Sequence, residues 1–469
     1  MAYLQIDTEI KIPKGNFAFI QDKTGDEDLF KKFYEAEKIL KVNYVDFAHK
    51  IRVAYEGFAL NEEASERMQM PEYAGKSVYE VQKEIVDEIT AYGSTLNYKK
   101  IIIRLTRDRA ADFIPMLEKY GFTRTFRNDP NGVRAIKNYI QFVYNFASMS
   151  SHVNPDMEAM YVPNRENCLR VINSFHDFLC TYYGVDKRFD STLIPIKDYI
   201  SVPKNVCEAM GLSLDVGKFL FVKENNGKCA YFIFSSDIES ISLSQRRDID
   251  TINKLWEENF DDPANVIRQT ENISGSNGDY KFQVYALPNK PLRLTKEMLS
   301  ELSMDEKLDI IRGLCRGVMS LHNYEPPFYH RNICPEAFYI FNVKGKYKAL
   351  LAKFDCTKDN SDDSIYTVFN NVEKRATNQN TNQFFAPEVL KSDMGKGVDW
   401  RKADIYSLGK TCLFILTGEI ISENFECILD AIDISDDAKL TLFEMLSVDP
   451  ADRPSIEDLL DSICNHIGV

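Results

Sequence analysis

The chain has 469 residues, more than one hydrophobic core usually organises, so two or three domains are expected. With 44% apolar and 27% charged residues it carries ample material for packed cores, which argues against long disorder. A formal charge of −14 disfavours nonspecific binding of the whole molecule to nucleic acid or anionic membrane.

In chain order, the opening MAYLQIDTEIKIPKG has no apolar core of signal-peptide length, and no apolar run approaches the ~18 residues of a membrane span. A cytoplasmic protein without membrane contact is expected. Leu29, Phe33, Ala36 and Leu40, then Phe47, Ile51, Ala54 and Phe58, recur at helical spacing. The pattern returns over 78–89, 113–120, 133–146 and 168–182, with Gly184 as a C-cap. The β-branched run Ile101–Leu105 reads equally as a strand or a buried helical segment. Pro195 and Pro203 interrupt any period, so 186–205 reads as a connector. Beyond it Lys218–Glu224 and Lys228–Ser235 are apolar runs joined by Asn225-Asn226-Gly227, which predicts a hairpin because Asn-Gly tolerates positive φ. A helix is predicted over 244–259 and strands over 265–273 and 280–287. Ser303 and Glu306 form a capping box for a helix carrying Leu308, Ile311, Leu314, Val318 and Leu321. The ten cysteines stand as singlets without CxxC or a Cys/His cluster, so neither a metal site nor a disulfide scaffold is expected.

After that helix comes Tyr329-His330-Arg331-Asn332-Ile333-Cys334-Pro335-Glu336-Ala337. It is followed in order by Phe385-Ala386-Pro387-Glu388, Lys402-Ala403-Asp404-Ile405-Tyr406-Ser407-Leu408-Gly409 and Asp449-Pro450-Ala451-Asp452-Arg453-Pro454-Ser455. This series resembles the eukaryotic-type protein kinases: their catalytic loop, the end of their activation segment, their central large-lobe helix and the signature before their last helix. The resemblance implies that Glu388 pairs with Arg453 and that Asp404 accepts hydrogen bonds from the backbone around His330 and Arg331. Phosphoryl transfer needs a carboxylate to orient the substrate hydroxyl, a lysine near the γ-phosphate and oxygen ligands for magnesium. The matching positions hold Asn332, Cys334 and Ala337. Asparagine cannot take up a proton at neutral pH, and alanine cannot ligate a hard cation. The magnesium-binding Asp-Phe-Gly falls on Leu351–Cys356, alignable as Lys353-Phe354-Asp355 or as Asp355-Cys356-Thr357. No G-x-G-x-x-G precedes the hairpin, and the strand expected to carry the family lysine reads Ala230-Tyr231-Phe232-Ile233-Phe234 at its centre. Lys223 is the alternative lysine.

The first part of the chain resembles bacterial HEPN-type helical domains. Phe47–Glu56 carries Arg52 and Glu56 in an Arg-x-x-x-Glu pattern, and Tyr144–Pro155 carries Asn145 and His152. The arginine that nuclease members place just before the histidine is absent, so a structural His152 and an intrahelical Arg52–Glu56 pair are the plainer reading. From Lys99 to Lys137 ten Lys/Arg face four Asp/Glu. Lys99, Arg104, Arg107 and Arg109 therefore offer RNA or an acidic partner a basic face, the plainer alternative being a solvated surface.

The expected fold class is α+β and multidomain. An all-α HEPN-like domain over 1–185 and a connector over 186–205 precede a bilobal kinase-like fold, with small lobe 206–290 and large lobe 291–469. The expected function is a catalytically inactive pseudokinase scaffold or switch, which the resemblances associate with bacterial stress or defence. ATP bound without turnover is its remaining cofactor, with Lys223 and Asp355 as candidates, and a protein partner or a second copy docks on the helical domain. An atypical ATP-dependent transferase using Asp355 or Glu336 and a HEPN-type ribonuclease controlled by the kinase-like part stay open.

Overall fold

The computed structural model describes the chain except for residues 7–9, 124–131, 150–162, 211, 213, 215–216, 226–227, 237–242, 258–264, 276–277, 293, 360–381, 393–396 and 468–469. It divides into two compact units: residues 1–203 with 221–229 and 273–281, and residues 204–220, 230–272 and 282–469. Among the described residues no helix is long and apolar enough to cross a membrane.

The first unit opens with two short antiparallel strands, β1 (Tyr3–Gln5) and β2 (Lys11–Pro13), paired Leu4 to Ile12. This corrects the all-α expectation; strands of three residues are too short to display a period of two in the sequence. Among the described residues eight α-helices follow: α1 (Phe19–Thr24), α2 (Glu27–Leu40), α3 (Tyr44–Arg67), α4 (Val78–Thr90), α5 (Tyr98–Arg107), α6 (Ile114–Lys119), α7 (Val133–Met149) and α8 (Arg165–Tyr183). The run Ile101–Leu105 is thus helical, in α5 behind an Asn97 cap. Asp26 and Asn43 accept the first free N–H groups of α2 and α3, which fixes where each begins. Gly184 ends α8 in the left-handed conformation at φ 62°. Aromatic rings fill the core: Phe17 stacks on Phe33 with centroids 4.9 Å apart, and Phe113 on Phe178 at 5.1 Å.

One carboxylate lies inside this core. Glu37 of α2 is wholly buried and accepts the Asn16 backbone N–H at 3.0 Å and the Asn16 amide at 2.9 Å. Asn16 in turn bonds both the N–H and the carbonyl of Asp190, beyond α8. Burial pushes the Glu37 carboxyl up to about 7, against the opposing pull of these donors and of Lys41. The connector is also less irregular than its prolines suggest, since β3 (Ile200–Ser201) pairs with Phe221–Val222 of β4 (Lys218–Asn225).

In the second unit a short α9 (Lys204–Ala209) precedes β5 (Lys228–Ser236), α10 (Leu243–Glu257), β6 (Gln269–Ser274) and β7 (Lys281–Leu287). β5 pairs antiparallel with β7 from Tyr231 opposite Leu287 to Ser236 opposite Phe282. The hairpin residues Asn226 and Gly227 lie outside the described residues. Next come α11 (Lys296–Glu301), α12 (Met304–His322) with its Ser303/Glu306 capping box, and β8 (Phe328–Tyr329). An unforeseen antiparallel hairpin follows, β9 (Phe338–Val343) and β10 (Lys346–Leu351). Then β11 (Lys358–Asp359), α13 (Pro387–Lys391), α14 (Trp400–Thr417), α15 (Phe425–Asp430), α16 (Asp436–Met445) and α17 (Ile456–Ile467) follow among the described residues. β11 pairs with β8. α12 lies against β10 through Gly313 and Gly317, where an added Cβ would come within 3.1 Å of the Ala349 nitrogen and 3.0 Å of the Asn265 carbonyl oxygen. A side chain there would press on its neighbours more tightly than Cβ atoms ordinarily do, so glycine suits the close approach of helix and strand.

Candidate functional site

The residues between β8 and β9 are shaped by one acid on a helix. Asp404 on α14 is 1% exposed; its two oxygens accept the backbone N–H of His330 at 2.7 Å and of Arg331 at 2.8 Å. His322, at the end of α12, brings Nε2 to 3.2 Å from the same carboxylate. A buried carboxylate is tolerated only with such partners. Held this way, Arg331 adopts φ 64°, in the left-handed region, and its guanidinium lies 3.9 Å from the centroid of the Trp400 ring. His330 is fully buried, and burial pushes its pKa down, so the ring is neutral. Its Nε2 stands 3.1 Å from the Ala352 carbonyl, which sets the tautomer: Nε2–H donates there. Asn332, Cys334 and Ala337 are all buried, Ala337 ending a single turn begun by Pro335.

Across from this loop lies a constellation absent from the sequence expectations. Lys218, first residue of β4, places Nζ 2.6 Å from Asp248 Oδ2 on α10, with the side chains 9% and 2% exposed. The other Asp248 oxygen accepts the Phe354 backbone N–H at 2.6 Å. Phe354 is fully buried and its ring meets His330 at 5.7 Å and 64°. Lys353, just before it, takes φ 62°. These groups surround a cavity of about 10 Å³ lined by Lys218, Asp248, Tyr285, Tyr339, Ala352 and Lys353. That is room for about one water, whereas ligand pockets run to hundreds of Å³. The only sequence signal for Lys218 and Asp248 was a lone lysine opening an apolar strand and a lone aspartate inside an amphipathic helix. Both are commonplace in such elements, and no spacing or motif marks either.

At the far side of α14, Arg453 and Glu388 form a two-pronged ion pair at 2.6 and 2.8 Å. Arg453 is 1% exposed, also donates to the carbonyls of Ser447 and Lys402, and lies over the Tyr406 ring. Glu388 thus pairs with Arg453, and Asp404 with the backbone of His330 and Arg331.

The other sequence-derived residues lie elsewhere. Lys223 belongs to the first unit and sits 5.1 Å over the Tyr199 ring. Asp355 lies 3.8 Å from the Cys356 sulfur. In the first unit Arg52 pairs with Glu56 at 2.8 Å and lies over the Tyr144 ring. Asn145 accepts from Gln141, and His152 falls outside the described residues. Much of the basic stretch is engaged internally: Arg104 with Glu63 and Glu66, Arg109 with Asp112 and the Tyr182 carbonyl, Lys119 with Asp177, and Lys99 with Gln141.

No family model matches the chain. Over 173 residues it is 30% identical to a probable serine/threonine-protein kinase of Dictyostelium discoideum, covering 36% of this chain and 9% of that protein. Over 179 residues it is 28% identical to a second probable serine/threonine-protein kinase of the same organism, 34% of this chain and 21% of the relative. Over 172 residues it is 28% identical to actin-regulating kinase 1 of Saccharomyces cerevisiae, 34% of this chain and 26% of that protein. A region of this chain is kinase-like. The matches span a minor part of each relative, so they carry the likeness of that region and not the activity of the whole proteins.

Proposed function

We propose that the chain is a catalytically inactive protein kinase-like scaffold or switch, with a bilobal kinase-like fold from about residue 206 onward. One contrast carries this reading. The groups that hold such a fold in shape are built: buried Asp404 under His330 and Arg331, half-buried Glu388 on buried Arg453, and Lys218 with buried Asp248 behind Phe354. The groups that would act on phosphate are replaced. The packing of Phe354 on His330 favours the alignment Lys353-Phe354-Asp355, which puts a lysine where magnesium needs a carboxylate. Asn332 stands in the place of the hydroxyl-orienting carboxylate and Ala337 in that of a metal ligand, so neither fits a magnesium–nucleotide complex. On this reading the helical unit docks a protein partner, or a second copy, that the kinase-like region regulates.

The test is magnesium-dependent ATP consumption beside Asp355→Ala. The expected result is no turnover above that variant; clear wild-type turnover abolished by the substitution would establish an atypical transferase instead. A thermal-shift titration with ATP completes it. A ligand at ~100 times its Kd adds about 2.7 kcal/mol of stability, and any shift here is expected to be the same with and without magnesium.

A further inference from the structure

The outer face of α16 takes no part in the site described above. Its inner face, Ala438, Thr441, Leu442 and Met445, is buried. Outward it presents Leu440, 57% exposed, and Phe443, 44% exposed, one turn apart. The bonds from Leu446 N–H to the Phe443 carbonyl and from Ser447 N–H to that of Glu444 carry the winding past the helix end, to Val448 at 69% exposure. Single exposed apolar residues need no explanation, but Leu440 and Phe443 one turn apart on a ten-residue helix, with Val448 three residues beyond its end, are not scatter. Their rim is acidic: Asp436, Asp437 and Glu444 are exposed beside them. Asp436 and Asp437 suit a helix N-terminus, whereas Glu444 lies in the last turn, where a carboxylate opposes the helix dipole. From Glu423 to Asp461 the chain holds twelve Asp/Glu and two Lys/Arg. Of those two cations, Arg453 is buried on Glu388 and Lys439 bonds the Asp430 carbonyl.

We propose that this face of α16 is a docking site for a cationic amphipathic helix of a partner protein, its apolar stripe covering Leu440, Phe443 and Val448 and its lysines or arginines meeting Asp436, Asp437 and Glu444. A second copy of this chain is a poorer occupant, because in its basic stretch Arg104, Arg109 and Lys119 are already paired with its own carboxylates. The proposal deepens the scaffold reading by naming the chemistry of a partner, yet it stands on separate residues. A chain that consumed ATP and still bound such a helix would sink that reading and leave this one in place.

The experiment uses the full chain and a fluorescent Leu/Lys peptide of about 18 residues, five helical turns, with leucines at i, i+3, i+4 and i+7. A peptide of identical composition in scrambled order is the comparison. Saturable binding of the patterned peptide is expected, weakened at least about tenfold by Leu440→Ser/Phe443→Ser and weakened in turn by Glu444→Lys. The control pair Val78→Ser/Tyr79→Ser, on the exposed side of α4, leaves binding unchanged. Because the altered side chains are exposed, the melting temperature of each variant stays at the wild-type value. Equal binding of the scrambled peptide overturns the proposal, as does wild-type affinity in Leu440→Ser/Phe443→Ser. So does sedimentation showing a wild-type dimer that this double variant dissociates, which would assign the face to self-association.

Discussion

In Asp404→Ala two backbone donors, His330 N–H and Arg331 N–H, lose their acceptor at once, and His322 Nε2 loses its carboxylate. Hydrogen bonds to a charged group contribute about 1.5–3 kcal/mol each, and stranded buried donors add a penalty of about 1–3 kcal/mol apiece. These effects overlap within one network, so the expected loss is about 3–5 kcal/mol, the range found when a buried pair is broken from one side. For a domain of 150–250 residues each kcal/mol moves the melting temperature by about 2–4 °C, which places the variant roughly 6–20 °C below wild type. Calorimetry reads that shift, and native-state hydrogen exchange at the His330 and Arg331 amides locates it. Both amides should exchange faster by the factor that the lost free energy dictates. A loss below about 1 kcal/mol with both amides still protected would refute the assignment of Asp404 as the loop's anchor.

Lys218→Met leaves Asp248 buried with one partner and should cost about 3–5 kcal/mol, while Lys218→Met/Asp248→Leu should recover much of it; denaturant unfolding of the singles and the double gives the coupling. Arg453→Lys keeps the charge but loses the fork that serves Glu388 and three backbone carbonyls, so a loss of about 3 kcal/mol is expected in the same assay; a change under about 0.5 kcal/mol (roughly the surface-substitution range) contradicts it. The Glu37 carboxyl titrates at about 7 in the fold against an ordinary 4.5, so between those values the folded state binds the extra proton. Its contribution to stability is therefore present at low pH and is lost as pH rises through about 7. Glu37→Gln should flatten that slope in melting curves taken from pH 4.5 to 8, and an unchanged slope would place the titration elsewhere.

The legible part of the fold was the part with local signatures. Ser303 and Glu306 announce a helix because a capping box satisfies two N–H groups within four residues, and Asp404 and Arg453 stand inside motifs long enough to identify. Tyr3–Gln5 and Lys11–Pro13 were invisible because their ladder is specified by pairing and not by period. Lys344-Gly345, which turns β9 into β10 with both residues at positive φ, is a hairpin signal that the surrounding kinase-like motifs overshadowed. Lys218 and Asp248 are separated by thirty positions and meet only through the packing of α10 against the turn at Phe354. No spacing rule could have joined them. In the basic stretch, counting charges along the chain cannot reveal that Glu63 and Glu66 return to pair with Arg104 and Asp177 with Lys119.

Asp248 is held by one oxygen to Lys218 and by the other to the backbone of Phe354, whose ring in turn rests on His330. The carboxylate therefore works as a rivet through three layers. A pull on α10 lifts it from the lysine and the phenylalanine together, and the displaced ring takes its support from the histidine. A displacement of the helix would thus have two short links to the loop, the hydrogen bond to Phe354 and the contact of its ring with His330.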